Sequence, residues 1–345
     1  MKIFFLFLLH HTGIFYLFRK LSASQTTILC YHAGSYGDEW QFNGNLFMRA
    51  STFNARMNWL KLKNFEFISL AEATSTRATG KRNRVTITFD DGWLSTCTDL
   101  IPILQFHQAP STLYLSTQQF LSNRPITGVL LRYMRKKTQT RMISNAILPA
   151  ELGKDQPFES DQEIDAYAKK IELWIENTKP TKAQVYDLFE AIAASIGISS
   201  DTLDIRRGRF EFASLRDLQT ARLAGCQIEL HGHIHKYPVN DPTAFQLDLQ
   251  ICSEIIESLG FPKPKHYCYP SGRHDSAASG VLSSLKIDTA TTCLPGQIRS
   301  QELSRLHYLP RFLDGEGVHP LEFEAELSGL TPALRRLVKL FKAES

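Results

Sequence analysis

The feature that most restricts this chain is a repeated alternation of short β-branched runs with amphipathic helical segments. Val85 to Phe89 is the clearest run, and it stops abruptly at Asp90-Asp91-Gly92. Thr27 to His32, Phe65 to Leu70 and Ser111 to Leu115 read as further strands. Helical spacing marks Phe53 to Leu62, with Ser51-Thr52 as cap material, and a helix follows Gly92 through Leu104. Later come a helix at Leu215 to Ala224, a strand at Gln227 to Leu230 and a helix at Phe245 to Leu259. A strand at Tyr267 to Tyr269, a helix at Ala277 to Leu285 and a strand at Asp288 to Thr292 complete the series. Strands alternating with helices predict an α/β protein with a parallel sheet, open or closed. In a closed β/α barrel the reactive groups sit on loops at the carboxyl ends of the strands.

Between about 118 and 210 the pattern changes to polar, mostly helical sequence such as Ile164 to Trp174 and Ala183 to Ile196. An insertion that long predicts a functional cap or a separate subdomain rather than a plain loop, and a helical cap that shapes the functional site is the first expectation. Arg132, Arg135, Lys136, Lys137 and Arg141 cluster there, and Arg335, Arg336, Lys339 and Lys342 lie near the end of the sequence. The formal net charge is nonetheless only +4, so no dominating basic surface and no nucleic-acid partner is expected. Cys30, Cys97, Cys226, Cys252, Cys268 and Cys293 include no C-x-x-C spacing and read as buried free thiols. The expected organisation is an amphipathic or signal-like segment at 1–24, a barrel at 25–330 interrupted by 118–210, and a basic amphipathic helix at 331–345. The apolar runs Ile3 to Leu9 and Ile14 to Phe18, split by His10-His11 and Gly13, are too short for a membrane span. An interfacial helix ending in Arg19-Lys20 is the first expectation, with a cytoplasmic protein in peripheral contact with the inner membrane face. The C-terminal counterpart places Leu327, Leu330, Leu334, Leu337, Val338 and Phe341 near one face. The alternative is a signal peptide cleaved near Ser22-Ala23-Ser24, and hence a secreted or periplasmic protein.

Three segments carry chemistry, and each falls at a predicted strand end. Asp90 and Asp91 are adjacent carboxylates that point in different directions, so one can bind a metal while the other meets a water. Gly92 lets the chain leave sharply. His231, His233 and His235 follow the strand ending at Leu230. A helical turn there would put His231 and His235 on one face. Two imidazoles with one carboxylate leave an open position on a metal. Tyr269-Pro270-Ser271-Gly272 is a turn whose backbone N–H groups can meet an oxyanion.

In this order the segments resemble the polysaccharide deacetylase (NodB-homology) superfamily over about 27–116 and 211–328, through Thr88-Phe89-Asp90-Asp91-Gly92 above all. The lead-in Leu29-Cys30-Tyr31-His32 also looks like the strand that opens many members. The resemblance implies a variant (β/α) barrel, a divalent metal ion such as zinc on Asp91, His231 and His235, and Asp90 as catalytic base. It implies removal of acetyl groups, N- or O-linked, from an acetylated glycan. Two departures stand out. The superfamily's arginine two residues before the proline is replaced by Cys268, and the late L-x-H, whose histidine is the general acid, reads Leu309-Pro310-Arg311. A branch with Y-P-x-G and L-P-R segments looks closest. His233, His274 and Arg311 are then the candidates for acid or charge stabiliser. A catalytically inactive glycan-binding homologue, or a membrane-associated component of a glycan assembly system, is the rival reading.

Overall fold

The computed structural model describes residues 2–23, 25–75, 82–144, 149–153, 155–299 and 302–343. Eight strands form one parallel sheet: β1 Thr26–Tyr31, β2 Glu66–Phe67, β3 Arg84–Asp91, β4 Ser111–Leu115, β5 Cys226–Leu230, β6 His266–Cys268, β7 Thr289–Thr291 and β8 Phe312–Leu313. Their order is β7-β6-β5-β4-β3-β1-β8, with β2 paired beside β3. The sheet curls so that Thr291 bridges to Leu309, just before β8. The fold is thus a curled parallel sheet of the (β/α) barrel type.

Strand periodicity sorts the residues into two layers. Leu29, Ile87, Phe89, Leu113 and Tyr267 face the helices and join the main core. Ile28, Tyr114, Cys268 and Leu309 form a separate inner cluster, and Thr88 and Asp90 fall on the same alternating set. The outer layer is covered by α3 Ala50–Leu62, α4 Ile101–Phe106, α9 Leu215–Leu223, α10 Pro242–Ser258 and α11 Ala278–Ser284. α10 shows why: Asp241 caps it, Pro242 opens it, and Phe245, Leu249, Cys252 and Ile256 recur at helical spacing and are buried.

The insertion holds α5 Thr117–Ser122, α6 Thr127–Lys137, α7 Asp161–Thr178 and α8 Lys182–Ser195. A two-residue antiparallel pair, Met142–Ile143 with Gln156–Pro157, is an addition to the helices expected there. Leu130, Met134, Ile171 and Phe189 belong to the same continuous core as the barrel helices. Outside the barrel lie α1 Lys2–His11, α2 Ile14–Leu21, α12 Pro320–Leu327 and α13 Leu330–Ala343. The expected single N-terminal helix is two, because Gly13 takes a left-handed φ of 77°. Ser24 and the side chains of Lys339, Phe341 and Lys342 lie outside the described residues. The strand expected from Phe65 to Leu70 shrinks to β2, since Ser69 and Glu72 form a capping box that starts a helix at Leu70. All six cysteines are free, five buried and Cys293 half-buried.

Candidate active site

β3 delivers its two carboxylates to different partners. Asp90 Oδ1 and Oδ2 accept from Arg311 Nη1 and Nη2 at 2.7 and 2.8 Å. Arg311 lies one residue before β8, is 0% exposed, and also donates to Thr88 Oγ1, the Thr292 carbonyl and Cys268 Sγ. Burial pushes the Asp90 carboxyl up, but the guanidinium overrides it and holds the group well below the usual carboxylate range. Asp91 ends the strand at φ 76°, and Gly92 follows at φ 108°. At that φ any side chain is strained, and a Cβ on Gly92 would also come within 2.5 Å of Leu115 Cδ1, so glycine is strongly favoured. This turn aims Asp91 elsewhere: Oδ2 accepts from Trp93 Nε1 at 2.8 Å, while Oδ1 faces His231 Nε2 at 3.3 Å and His235 Nε2 at 3.0 Å.

The two histidines reach Asp91 from an irregular loop, not from the helical turn their spacing allowed. Gly232 at φ 84° and His235 at φ 52° break any helix. Asp248 of α10 holds the loop by accepting the N–H groups of His233 and Ile234, both at 2.9 Å. A side chain at 232 would meet Asp248 Oδ2 at 2.7 Å. His231 and His235 nevertheless converge, with ring centroids 4.8 Å apart.

His231 Nδ1 lies 2.9 Å from the Cys268 carbonyl. A carbonyl only accepts, so this nitrogen carries the hydrogen, and in the neutral ring Nε2 turns its lone pair toward Asp91. Two acceptors facing each other at 3.3 Å need a proton or a cation between them. Burial pushes the Asp91 carboxyl up, but His235 and His231 override this and hold it well below its usual range.

Three overlapping donor sets have ligand atoms within 4.8 Å of one another: Asp91, His231 and His235; Asp90, His231 and Cys268; Cys30, His32 and Asp90. The last two share Asp90, whose oxygens already face a guanidinium, and a second cation there would compete with it. The first set has no such competitor and fits a divalent ion.

The other expected residues lie around this centre. His233 turns to Thr117, with Nδ1 2.9 Å from Oγ1. His274 is exposed, bonded to the Gly272 carbonyl and packed against Tyr269 and Tyr308. Tyr269 and Pro270 are buried and shape the turn from below, while Ser271 is exposed at φ 55°. The N–H groups of Tyr269 and Gly272 are spent on the carbonyls of Thr291 and Tyr269, so the turn offers fewer oxyanion donors than its sequence suggests. Sequence reading gave no role to His32, whose Nε2 stands 3.9 Å from Asp90 Oδ2, nor to Trp93 and Asp248. Only the position of His32 at the end of the first strand could have marked it. Asp248, in mid-helix, carries no local signal.

A family model described as polysaccharide deacetylase matches residues 77–146, across the Asp90-Asp91 strand. Over that stretch the chain is similar to the polysaccharide deacetylase family. Solved structures share its fold at low identity. The Streptococcus pyogenes deacetylase PplD, in complex with acetate, is 15% identical with a TM-score of 0.56, covering 88% of this chain and 99% of that one. IcaB from Ammonifex degensii is 13% identical with a TM-score of 0.54, covering 88% and 97%. A de-N-acetylase from Aggregatibacter actinomycetemcomitans is 12% identical with a TM-score of 0.53, covering 88% and 99%. No curated protein matches the chain by sequence. Against the superfamily's usual pattern, Cys268 stands where an arginine is expected, and Arg311 brings its guanidinium to 2.9 Å from that cysteine's sulfur. The positive charge beside Asp90 thus comes from Arg311, next to β8, and not from the strand that carries Cys268.

Proposed function

We propose that the chain is a metal-dependent hydrolase that removes acetyl groups from a polysaccharide or glycan intermediate. The observation that carries this reading is the convergence of Asp91 Oδ1 with His231 Nε2 and His235 Nε2. Solved deacetylases of the same fold, one of them holding acetate, support it. Asp91, His231 and His235 would hold the ion, and zinc suits this nitrogen and oxygen set. When bound there, the ion would supply Lewis-acid polarisation of an acyl carbonyl and a lowered water pKa.

The protein's own groups divide the remaining work. Asp90, ionised and aimed by Arg311, accepts the proton of the attacking water. Arg311 is a positioning residue, since a guanidinium does not give up its proton in this range. His32 is the acid for the leaving amine or alcohol. Its side chain is 23% exposed, Nε2 borders Asp90, and the buried Nδ1 has no hydrogen-bond partner. His233 and His274 are both bonded elsewhere. Ser271, exposed at the tip of its turn, is the member of that segment left to serve the oxyanion.

Metal analysis together with acetate release from a panel of acetylated glycans tests the assignment. The wild type should carry about one divalent ion, and His231→Ala or His235→Ala should lose both ion and activity. Asp90→Asn and His32→Gln should keep the ion and lose about a hundredfold or more in turnover. Full metal occupancy in both histidine-to-alanine variants would sink the ligand set. Undiminished turnover in His32→Gln would move the acid to another residue.

A further inference from the structure

Both terminal segments meet on one helix. α1 and α2 pack on α12 and α13 through a small core of Leu6, Phe15, Ala325 and Leu330. α1 is apolar on every side, yet Leu6 is its one buried residue among those described. Phe4, Phe5, Phe7 and Leu8 face outward, Phe4 with 67% of its surface exposed. A helix apolar all round needs an apolar cover all round, and the barrel supplies only one side. α2 adds exposed Tyr16, Leu17 and Leu21, and α13 adds Leu334, Leu337 and Val338. α1 and α13 are also the facing walls of one cleft of about 390 Å³, lined by Phe5, Leu9, Val318 and Leu334 among others. The cleft joins α1 to α13, and α2 packs on α12 and α13, so these exposed groups lie on neighbouring helices of one apolar platform.

Its charge is one-sided. The four helices carry seven Lys and Arg against three carboxylates, an excess equal to the chain's whole formal net charge of +4. All three carboxylates are on α12. Glu324 and Glu326 are buried against His10, Arg19 and Arg335, and Glu322 pairs with Lys2. Lys20 is exposed, 4.8 Å from the Tyr16 ring. Among the described residues the outer surface thus combines apolar side chains with the exposed Lys2 and Lys20, with every carboxylate turned to a partner.

We propose that this platform docks the protein on an anionic lipid bilayer. Among the described residues no helix is long and apolar enough to cross a membrane. α1, at about 15 Å, reaches half of a hydrocarbon core of roughly 30 Å. It therefore lies in the interface, with its phenylalanines in the acyl boundary and the cations among headgroup phosphates. A second copy on the same face would set cations against cations, whereas anionic headgroups complement them. Lys2 and Phe5 border Phe312 and Val318, around the segment whose Asp314 bonds Tyr31 at the carboxyl end of β1. The amino end of α1 is therefore at the barrel end that carries Asp90 and Asp91, so a docked protein opens beside lipid-borne glycan. The docking itself does not rest on the reaction.

Flotation of the full chain with phosphatidylcholine vesicles, with and without phosphatidylglycerol, tests it. The wild type should float with anionic vesicles and bind neutral ones about tenfold less. A Phe4→Ser, Leu8→Ser, Leu17→Ser variant replaces exposed groups only. It should keep the wild-type melting temperature and lose flotation. Wild type that floats with neither vesicle, equal flotation on both, or a folded variant that still floats each overturns the proposal. So does a lipid-free dimer that the variant dissolves, since the platform would then belong to a second copy.

Discussion

At Arg311 a full positive charge sits at 0% exposure, which is tolerable only because every direction it faces offers an acceptor. Breaking such a pair from one side leaves the other charge buried and alone, typically costing about 3–5 kcal/mol. Arg311→Met should therefore lower the unfolding free energy by several kcal/mol and abolish turnover, because Asp90 loses its aim. The double variant Arg311→Met, Asp90→Asn should recover much of the stability but none of the activity. Urea denaturation of the three proteins checks this, and a single variant as stable as wild type would show that the pair does no structural work. The sequence made Asp90, Asp91 and the histidines legible, because each stands at or just past the end of a strand run. Arg311 was legible as a residue, but its partner was not. The register that puts Leu29 opposite Phe312 is a long-range fact, and no local pattern announces a two-residue strand.

Helices joined to a barrel by a long insertion need a point of attachment, and Arg209 provides it. Its guanidinium reaches Glu39, Asp38, the Tyr133 hydroxyl and the carbonyls of Thr202 and Leu203, tying the loop after β1 to α6 and to the end of the insertion. The start of the insertion is attached as well: Gln118 N–H donates to the His233 carbonyl at 3.0 Å, so α5 braces the histidine loop. We expect Arg209→Met to destabilise the protein by about 3 kcal/mol or more, since it leaves Glu39 buried and unpaired. Protease cleavage within the insertion, faster than in wild type, is the measurement. Unchanged cleavage and stability would show that packing alone holds the cap. The helical character of this stretch was readable from spacing, but its fusion with the barrel core was not, since Phe189 and Leu131 look the same in an independent bundle. The helix starting at Leu70 was readable too, through Ser69 and Glu72, yet the apolar run before it masked the signal.

Taken as a whole the molecule responds to pH in two opposite ways. Burial pushes the Asp314 carboxyl up to about 6, although Arg56 lies 3.2 Å away, and it raises Glu326 despite Arg335. Such a group keeps its proton in the folded chain where the unfolded chain has lost it. Its contribution is complete below the ordinary carboxylate value of about 4 and is lost as pH rises through about 6. For Asp314 this amounts to about 3 kcal/mol at most. Asp314→Asn should flatten the fall in melting temperature between about pH 4 and 7, and an unaltered slope would refute the assignment. Asp90 and Asp91 act in the other sense, their contribution present above about pH 4 and lost below it. The pairing of Ser111 with Cys226 has a further result that concerns birth rather than function. The whole insertion is translated between β4 and the strand that covers it. At ordinary synthesis rates a nascent chain waits on the order of ten seconds with β1, β3 and β4 already made. During that wait β4, which has no charge and no proline, shows an open edge to its surroundings. Until Cys226–Leu230 is made and pairs with it, that edge is the place where the nascent chain is most open to pairing with another strand.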